Sequence, residues 1–352
     1  MRKFDYSFLN NGLLPANLVN LTSNIAALKT MAGVRKDEYT QIFTELEAVA
    51  KVQSIKSSNA IEGIVTSDER IAAIVNQNSA PLNHNEAEIA GYRDALNEIH
   101  LGYEHIDFRQ SDILRLHEMM MSFAGYEYGG QYKTDDNVIL EIDADGNRRV
   151  RFRPTPASET PKAMEQLELA YLDARSDANI NQLLLIPCVI LDFLCIHPFN
   201  DGNGRMSRLL TLLLLYRSGY IVGKYISIEK LISDTKETYY ETLQASSYNW
   251  HEGTNDYAPF VTYMLGVLVA AYRDFESRIE LLTTKGLSKP DRVREIIKNH
   301  LGKITKSEIM EKCPDISQIT VQRALADLIK SGEILKIGGG RYTSYTWNRE
   351  RE

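Results

Sequence analysis

A polar segment with the sequence HPFNDGNGRMSR, from His197 to Arg208, lies between two strongly apolar stretches. Leucine and other apolar residues dominate Ile180–Ile196 before it and Arg205–Ser218 after it, which predicts two helices that are buried on most of their surface. Neither can span a bilayer, because the longest apolar run, Leu209–Leu215, is far too short. The chain therefore has to fold around two buried helices that are joined by a polar loop.

Apolar residues recur at intervals of three and four through most of the chain, and this spacing predicts helices almost throughout. One segment departs from the pattern. Two β-favouring runs, Asn137–Ile142 and Arg149–Phe152, flank Asp145-Gly146, a pair typical of tight hairpin turns. We therefore expect a mainly α fold with one small β-hairpin within residues 129–156. The other predicted helices are 34–57, followed by a break over residues 58–63, Glu86–His100, Asp112–Ser122, Pro161–Ser176 and Tyr257–Leu282.

The C-terminal part of the chain has a different pattern. Three short helical patterns are followed by two strand-like runs, EILKI and RYTSYTW, which flank three glycines at 338–340. This is the order of a winged helix, a variant of the helix-turn-helix. The predicted helices are Asp291–His300, Lys306–Lys312 and Ser317–Ser331. We predict an N-terminal helical region at 1–100, a helical domain with the hairpin at 101–282, a linker at 283–290 and a winged-helix domain at 291–352.

The composition is that of an ordinary globular protein, 43% hydrophobic and 25% charged, with enough apolar residues for a large core. The first twenty residues hold no apolar stretch typical of a secretory signal. The three cysteines (Cys188, Cys195 and Cys313) include no CxxC pattern, so we predict reduced core thiols and no zinc site. Together with the short apolar runs, they predict a cytoplasmic protein without a membrane segment. Residues 286–352 carry a net charge of +4 and the rest −11, which suggests two domains with different partners.

The loop between the two apolar helices combines several groups that suit phosphate chemistry. Gly202-Asn203-Gly204 can bring consecutive backbone N–H groups together as an anion-binding nest at the start of the next helix. Arg205 and Arg208 are three residues apart and provide two guanidinium groups for phosphate oxygens. Asp201 can hold Mg²⁺, and His197 can accept a proton near neutral pH.

Each of these features has an ordinary structural explanation when it is taken alone. Gly-Asn-Gly between helices is usually a turn, a single histidine before a proline is usually structural, and arginines on a helix are usually solvated. The dinucleotide-binding fingerprint is excluded, because Ser207 stands where its third glycine is needed. A Walker A sequence is absent, which excludes a P-loop enzyme.

The combination decides between these interpretations, because His197–Arg208 matches HPFx(D)GNGRxxR at every fixed position. In this the chain resembles the Fic family. The resemblance extends from an N-terminal segment through the helical core, about Asp112 to Gly219, to the C-terminal tail. It implies a protein adenylyltransferase: His197 deprotonates a Ser, Thr or Tyr hydroxyl of a target protein, or of the chain itself, and the hydroxyl attacks the α-phosphate of ATP. It also implies Mg²⁺ on Asp201, Phe199 as a core anchor, and ATP contacts from Asn200, Asp201, Gly202, Asn203, Gly204, Arg205 and Arg208.

Two further segments fit the same resemblance. The predicted hairpin resembles the Fic flap, which holds a target segment by strand addition, although it could also be an ordinary surface hairpin. The Tyr239-Tyr240 pair is a candidate for stacking on adenine, an assignment weakened by the 19 tyrosines of the chain. The expected target-docking residues of the flap are Gln131, Tyr132, Lys133, Asn137, Val138 and Ile139.

The sequence from Ser58 to Gly63 matches [S/T]xxxE[G/N], the inhibitory motif of Fic proteins. Ser58 and Glu62 are four residues apart and share a helical face, and Gly63 would end that helix. The resemblance implies that Glu62 pairs with Arg208 and displaces the γ-phosphate of ATP. We therefore expect a regulated enzyme that is inhibited by its own N-terminal helix, about residues 50–63.

The predicted winged helix leaves other functions open. Gln318, Thr320, Gln322 and Arg323 lie near the start of its third helix, where DNA bases would be read, but only Arg323 and Lys330 on that helix are cationic. A docking or dimerising module is equally consistent, and dimers are common in the family. The alternatives are a DNA-binding regulator with an ATP-sensing site, and removal of AMP from a modified protein. The intact Gly202–Arg205 sequence argues against a phosphotransferase.

Overall fold

The computed structural model describes residues 2–10, 15–36, 40–142, 148–283, 288–300 and 302–348. Within these ranges the chain is mainly α-helical, as the periodicity predicted. The helices are α1 (Ala16–Lys36), α2 (Thr40–Ile61), α3 (Asp68–Gln77), α4 (His84–Gly102), α5 (Gln110–Met121), α6 (Thr160–Ser176), α7 (Gln182–Ile196), α8 (Asn203–Arg217), α9 (Ile228–Asp234), α10 (Lys236–Ser247), α11 (Ala258–Thr283), α12 (Lys289–Asn299), α13 (Lys306–Lys312) and α14 (Gln318–Lys330). The strands are β1 (Ile139–Ile142), β2 (Arg148–Phe152), β3 (Ile304–Thr305), β4 (Ile334–Ile337) and β5 (Ser344–Trp347).

The two apolar helices α7 and α8 form the centre of the main hydrophobic core. Nearly every residue of both is buried, and α7 packs against α6, α8, α10 and α11. The side chain of Asn181 caps α7 by accepting a hydrogen bond from the Leu183 N–H, which fixes where this helix begins. Trp250 also lies in this core, 2% exposed, and its indole N–H donates to Asp192 on α7 at 2.6 Å. The polar loop between α7 and α8 therefore rests on a tightly packed base.

The prediction of a break at residues 58–63 is wrong in its first part, because α2 continues to Ile61. The side chain of Asn59 donates to the Ile55 carbonyl within the helix at 2.7 Å, and Ser58 is hydrogen-bonded to Arg208. Both side chains are fully buried, so tertiary contacts stabilise helical residues whose propensity is low. Helices α1, α3, α9 and α10 were not predicted.

The predicted hairpin is present as an antiparallel pair, β1 and β2, with Leu140 opposite Val150. The expected turn at Asp145-Gly146 lies outside the described residues. These two strands form a sheet of their own, so within the described ranges the outer edge of each strand is unpaired. Such an edge can accept another extended segment.

The C-terminal residues form a second unit with its own hydrophobic cluster. Helices α12, α13 and α14 pack with a three-stranded sheet in the order β3-β5-β4, and Trp347 packs on this cluster. Strand β5 is shorter than its predicted run, because residues Gly340–Tyr342 form a single 3-10 turn. The three helices followed by a hairpin are as predicted, but the two-residue strand β3 between α12 and α13 was not predicted, and the assignment as a winged helix stays a prediction.

The second unit contacts the first through α13. The side-chain amide of Gln53 on α2 donates to the Glu311 carboxylate at 2.8 Å. Arg278 on α11 donates to the Glu311 carbonyl oxygen at 3.1 Å, and Lys312 lies 3.8 Å from Asp274 on the same helix. The helix that carries the proposed inhibitory motif is thus held at its middle by the C-terminal unit.

No helix within the described parts of the chain is both long enough and apolar enough to cross a membrane. The three cysteines are free thiols and all are buried.

Candidate active site

His197 stands directly after the last residue of α7, in left-handed backbone geometry with φ 52° and ψ 62°. Its Nδ1 lies 3.3 Å from the Leu194 carbonyl oxygen, which can only accept, so Nδ1 carries the proton and Nε2 is free to accept one. Burial, assisted by the nearby charge of Lys133, lowers the pKa of His197 to about 4. The imidazole is therefore neutral at physiological pH, as a general base has to be.

The loop after His197 is held by side chains that bond to its own backbone. Asn203 accepts from the Phe199 N–H at 2.9 Å and donates to the Phe199 carbonyl at 2.8 Å, so both ends of its amide are used inside the loop. The Phe199 ring is fully buried and stacks on His117 of α5, with ring centroids 3.7 Å apart. His117 donates from Nε2 to the Asp201 carbonyl and accepts at Nδ1 from the Gly130 N–H. The loop is therefore rigid before any ligand arrives.

Helix α8 begins directly after a glycine in left-handed geometry, and binding of an anion at this turn stays a prediction. Gly202 has φ 81° and precedes the first helical residue, Asn203, and a Cβ at this glycine would overlap Met120. The backbone N–H groups of the first helical turn point away from the helix toward the loop, where a phosphate can accept hydrogen bonds from them. Asn200 is exposed at the loop surface.

Asp201 is the residue of this loop that suits a magnesium ion. Its side chain is 52% exposed; one oxygen accepts from the Gly202 N–H at 2.5 Å and the other lies 3.7 Å from Arg205. Mg²⁺ is usually held by one or two carboxylates together with phosphate oxygens and water, so a single accessible carboxylate beside an anion-binding turn fits it. The described residues contain no cluster of three or more His, Cys, Asp or Glu that could bind a metal alone.

Arg208 does not point to an open phosphate site, because its guanidinium is bound to the end of α2. It donates to the Ser58 hydroxyl at 2.8 Å, to the Ser58 carbonyl at 2.9 Å and to the Glu62 carboxylate at 2.8 Å. Burial alone would raise the pKa of Glu62, but the charge and hydrogen bond of Arg208 outweigh burial and lower it. Gly63 follows with φ 82°, just past the end of α2.

Glu62 also approaches the anion-binding turn. A Cβ added at Gly204 would overlap the Glu62 carboxylate, so this carboxylate lies directly against the Gly204 backbone. Only glycine leaves room for that contact. The negative charge of Glu62 therefore occupies space beside the N–H groups that would receive a phosphate.

Arg205 and Arg208 do not converge as the sequence suggested. Arg205 is 1% exposed and pairs with Glu88 of α4 at 2.6 Å, and Glu88 in turn lies 3.1 Å from His84. Two buried nitrogens of Arg205, Nε and Nη1, have no hydrogen-bond partner. A contact between Arg205 and the β- or γ-phosphate stays a prediction.

A cavity of about 390 Å³ opens over His197, Gly204 and Arg208. The inhibitory helix contributes Glu62, the hairpin contributes both strands, and α10 contributes Tyr239 and Tyr240. One cavity is thus lined by many of the predicted site residues. They are the predicted base, one glycine of the turn before α8, one arginine, both tyrosines, and the flap residues Val138 and Ile139. Asn200, Asp201, Asn203 and Arg205 do not line it.

The predicted docking residues of the flap divide into two groups. Val138 and Gln131 are exposed, and Ile139 is half-buried beside the cavity. Tyr132 is half-buried, and its hydroxyl donates to Gln110 at 3.0 Å. For the Lys133 side chain, the predicted target contact is wrong in this structure, because Lys133 is 3% exposed and its ammonium is bound inside the protein. Asn137 is also tied inward, to Lys133 and to Phe199.

The comparisons with known proteins agree with this geometry. Residues 107–215 match the model of the Fic/DOC family. The chain contains a Fic domain. It is 27% identical over 186 residues to protein adenylyltransferase fic-1 of Caenorhabditis elegans, a match covering 51% of this chain and 31% of that protein. It is 25% identical over 229 residues to protein adenylyltransferase Fic of Nematostella vectensis, covering 61% and 46%. The chain thus spans less than half the length of these two relatives.

Solved structures show the same fold. A Fic family protein from Desulfovibrio desulfuricans superposes with a TM-score of 0.63 at 21% identity, over 96% of this chain and 98% of that one. A Fic domain containing signaling protein from Bacteroides thetaiotaomicron gives a TM-score of 0.57 at 20% identity, over 74% and 96%. At these identities the likeness establishes the fold alone.

The sequence did not reveal the contacts that three residues make around the Fic motif. His117 fixes the loop, Glu88 neutralises Arg205, and Lys133 is bound beside His197. Glu88 and His117 lie on ordinary amphipathic helices, where nothing in the local pattern separates them from other polar residues. Only their long-range contacts show their place in the site.

Proposed function

We propose that this chain transfers AMP from ATP to a serine, threonine or tyrosine hydroxyl of a protein, and that Glu62 restrains this reaction. The observation that carries the proposal is the shared cavity. A neutral histidine, Gly204 near the start of a helix suited to phosphate, and both strands of the hairpin line one space of about 390 Å³. The adenylyltransferase names of the relatives in C. elegans and N. vectensis support the same reaction class.

The residues divide the reaction between them. The target hydroxyl gives its proton to Nε2 of His197, its oxygen forms a bond to the α-phosphorus of ATP, and the bond to pyrophosphate breaks. Backbone N–H groups at the start of α8 would donate hydrogen bonds to the phosphates. Asp201 would hold Mg²⁺, which when bound neutralises part of the charge on the phosphates. Tyr239 and Tyr240, which also line the cavity, would contact the adenine base.

The restraint follows from the contacts of Arg208. Its guanidinium makes three hydrogen bonds to Ser58 and Glu62, and these would have to be exchanged before it could bind a γ-phosphate. Glu62 also places a carboxylate against Gly204, where it repels an incoming phosphate. ATP would therefore bind in a pose that is poor for transfer until the end of α2 moves or Glu62 is removed.

The unpaired edge of the hairpin supports binding of an extended segment of the target protein. Val138 and Leu140 are more than 40% exposed, although they are apolar, and both line the cavity. An added strand would bring its side chains to His197 with main-chain hydrogen bonds independent of sequence.

DNA binding by the C-terminal unit stays a prediction; Gln318, Gln322 and Arg323 are exposed at the start of α14, and Thr320 is half-buried. Dimer formation also stays a prediction.

The test is incubation of purified wild-type, Glu62→Gly and His197→Ala protein with Mg²⁺ and α-labelled ATP, with a cell lysate as target source and mass spectrometry of labelled products. We expect little label with wild type, at least tenfold more with Glu62→Gly, and none when His197→Ala is added to that variant. Glu252→Gly and His105→Ala, both at exposed positions, are the matched controls.

Absence of protein-bound label in every variant would overturn the proposal. The wild type is also tested for removal of AMP from protein that the Glu62→Gly variant has modified. Such removal would show that the same site catalyses both the addition and the removal of AMP. Salt-dependent DNA binding without any modification would favour the regulator.

A further inference from the structure

Lys133 is bound to the main chain on both sides of His197. Its backbone N–H donates to the Pro198 carbonyl at 2.9 Å, and its ammonium donates to the Ile196 carbonyl at 3.1 Å. The side chain is 3% exposed, so this contact is made inside the protein. A single residue therefore binds the carbonyl groups of both residues that flank the proposed catalytic base.

The contact has a clear physical basis at the end of α7. Ile196 is the last helical residue, and carbonyls at a helix C-terminus lack a partner within the helix and carry partial negative charge. A buried ammonium satisfies such a carbonyl and is stabilised by it. His197 itself has φ 52°, an unfavourable geometry for a residue with a Cβ, and it persists only if its surroundings fix it. The two Lys133 hydrogen bonds are part of that fixation.

Lys133 also connects this point to the flap. Its ammonium donates to the Asn137 side-chain oxygen at 2.9 Å, and the Asn137 amide donates to the Phe199 carbonyl at 3.3 Å. Strand β1 begins only two residues later, at Ile139. Three hydrogen bonds from Lys133 and Asn137 therefore join the base of the hairpin to the segment around His197, and a fourth joins Lys133 to Asn137.

We propose that Lys133 is a positioning residue, which holds the His197 imidazole in register with the flap and keeps it unprotonated. The proposal deepens the function proposed above and rests on it where catalysis is concerned. In this proposal Lys133 acts on the catalytic base His197. It does not contact the target protein, which is the role that the sequence alone suggested.

The charges around His197 determine the direction of the effect. The charged groups that act on it are Lys133 on the hairpin side, Glu62 on α2 and Asp201 in its own loop, and only Lys133 favours the neutral form. Burial lowers the pKa of Lys133 to about 8, with Asp136 opposing the shift, so it stays mostly cationic at neutral pH. Loss of this cation should raise the pKa of His197, because a positive charge beside the imidazole disfavours imidazolium, and this effect does not require Glu62.

The experiment uses the Glu62→Gly protein as the parent, with Lys133→Met, Lys133→Arg and Lys162→Met added separately. Lys162 lies exposed on α6 and is the matched lysine control. The imidazole is titrated by NMR with labelled histidine, and its signal is assigned by its loss in His197→Ala. The rate of AMP transfer is measured against pH in parallel. The full chain is used throughout, and circular dichroism confirms that each variant is folded.

We expect Lys133→Met to raise the His197 pKa by about one unit and to lower the transfer rate by roughly 100-fold. The acid limb of the rate profile should move upward with that pKa. Lys133→Arg, which keeps a cation and a donor, should restore both properties toward the parent, and Lys162→Met should leave both unchanged. Asn137→Ala should lower the rate with little change in pKa, because it breaks the link to the flap and leaves the cation.

An unchanged His197 titration in folded Lys133→Met would overturn the proposal, as would failure of Lys133→Arg to restore the parent pKa. Because the titration needs no activity, it separates the two proposals. If the pKa of His197 shifts but none of the proteins transfers AMP, the positioning role of Lys133 is supported and the proposed AMP transfer is rejected.

Discussion

Glu62 and Arg208 lie 146 residues apart in the chain and form a 2.8 Å ion pair. The same guanidinium is held twice by Ser58, so three hydrogen bonds join α8 to the last turns of α2. Arg208 is almost fully buried, while about a third of the Glu62 side chain is exposed. The arginine of this ion pair is therefore inaccessible to solvent, whereas part of the Glu62 side chain is accessible.

Ser58→Ala should weaken the restraint without abolishing it. The change leaves the buried Nε of Arg208 without a partner, so we expect the free energy of unfolding to fall by about 1–3 kcal/mol. AMP transfer should rise to a value between those of wild type and Glu62→Gly, since Glu62 still holds Arg208. Urea unfolding and label incorporation measure the two effects. Ser57→Ala, one residue away, is the control; loss of stability with wild-type transfer would show that Ser58 has no part in the restraint.

Gly204→Ala should lower the free energy of unfolding only while Glu62 is present. The added methyl overlaps the Glu62 carboxylate, yet alanine is otherwise favourable in a helix. A double-mutant cycle with Glu62→Gly should give an interaction free energy of about 1 kcal/mol or more. Gly266→Ala on α11, where no atom lies within 4 Å of the new Cβ, should stabilise both backgrounds. Additive effects at Gly204 and Glu62 would contradict the close approach described here.

The stability contribution of the Glu62–Arg208 pair should be lost in acid. The folded-state pKa of Glu62 lies below its ordinary value of 4.5, so the unfolded chain binds the proton first. The contribution is therefore complete above pH 4.5 and declines as the pH falls through the lower folded value. We expect the difference in unfolding free energy between wild type and Glu62→Gln to be constant near pH 6 and to shrink below pH 4.5. A difference that grows toward acid pH would reverse the assignment.

Gln53→Ala should loosen the C-terminal unit on α2. The lost hydrogen bond to Glu311 is worth about 1 kcal/mol, which corresponds to roughly fivefold faster hydrogen exchange in α13 if that helix opens by undocking. Gln244→Ala, exposed on α10, provides the comparison. Exchange rates in α13 that match wild type would mean that the remaining contacts, those of Arg278 and Lys312, are sufficient to hold the unit.

The sequence sufficed for the mainly α fold and for the residues of the Fic motif, because both depend on local spacing. The structure brings His197, Gly204 and Arg208 to one cavity, although the roles of these residues stay predictions. The helical break at residues 58–63 was misplaced because burial of Ser58 and Asn59 overrides their weak propensity. The different ion pairs of Arg205 and Arg208 depend on Glu88 and Glu62, and partners this distant in sequence leave no periodic signal.

The two hydrophobic clusters have an optical consequence. The chain has two tryptophans, and each cluster contains one, Trp250 fully buried in the larger and Trp347 half-buried in the smaller. The emission of the native protein is therefore the sum of two indoles in different surroundings. A Trp347→Phe variant should fluoresce from the larger cluster alone and a Trp250→Phe variant from the smaller alone. Intrinsic light emission can thus follow the melting of each unit separately, without any attached dye.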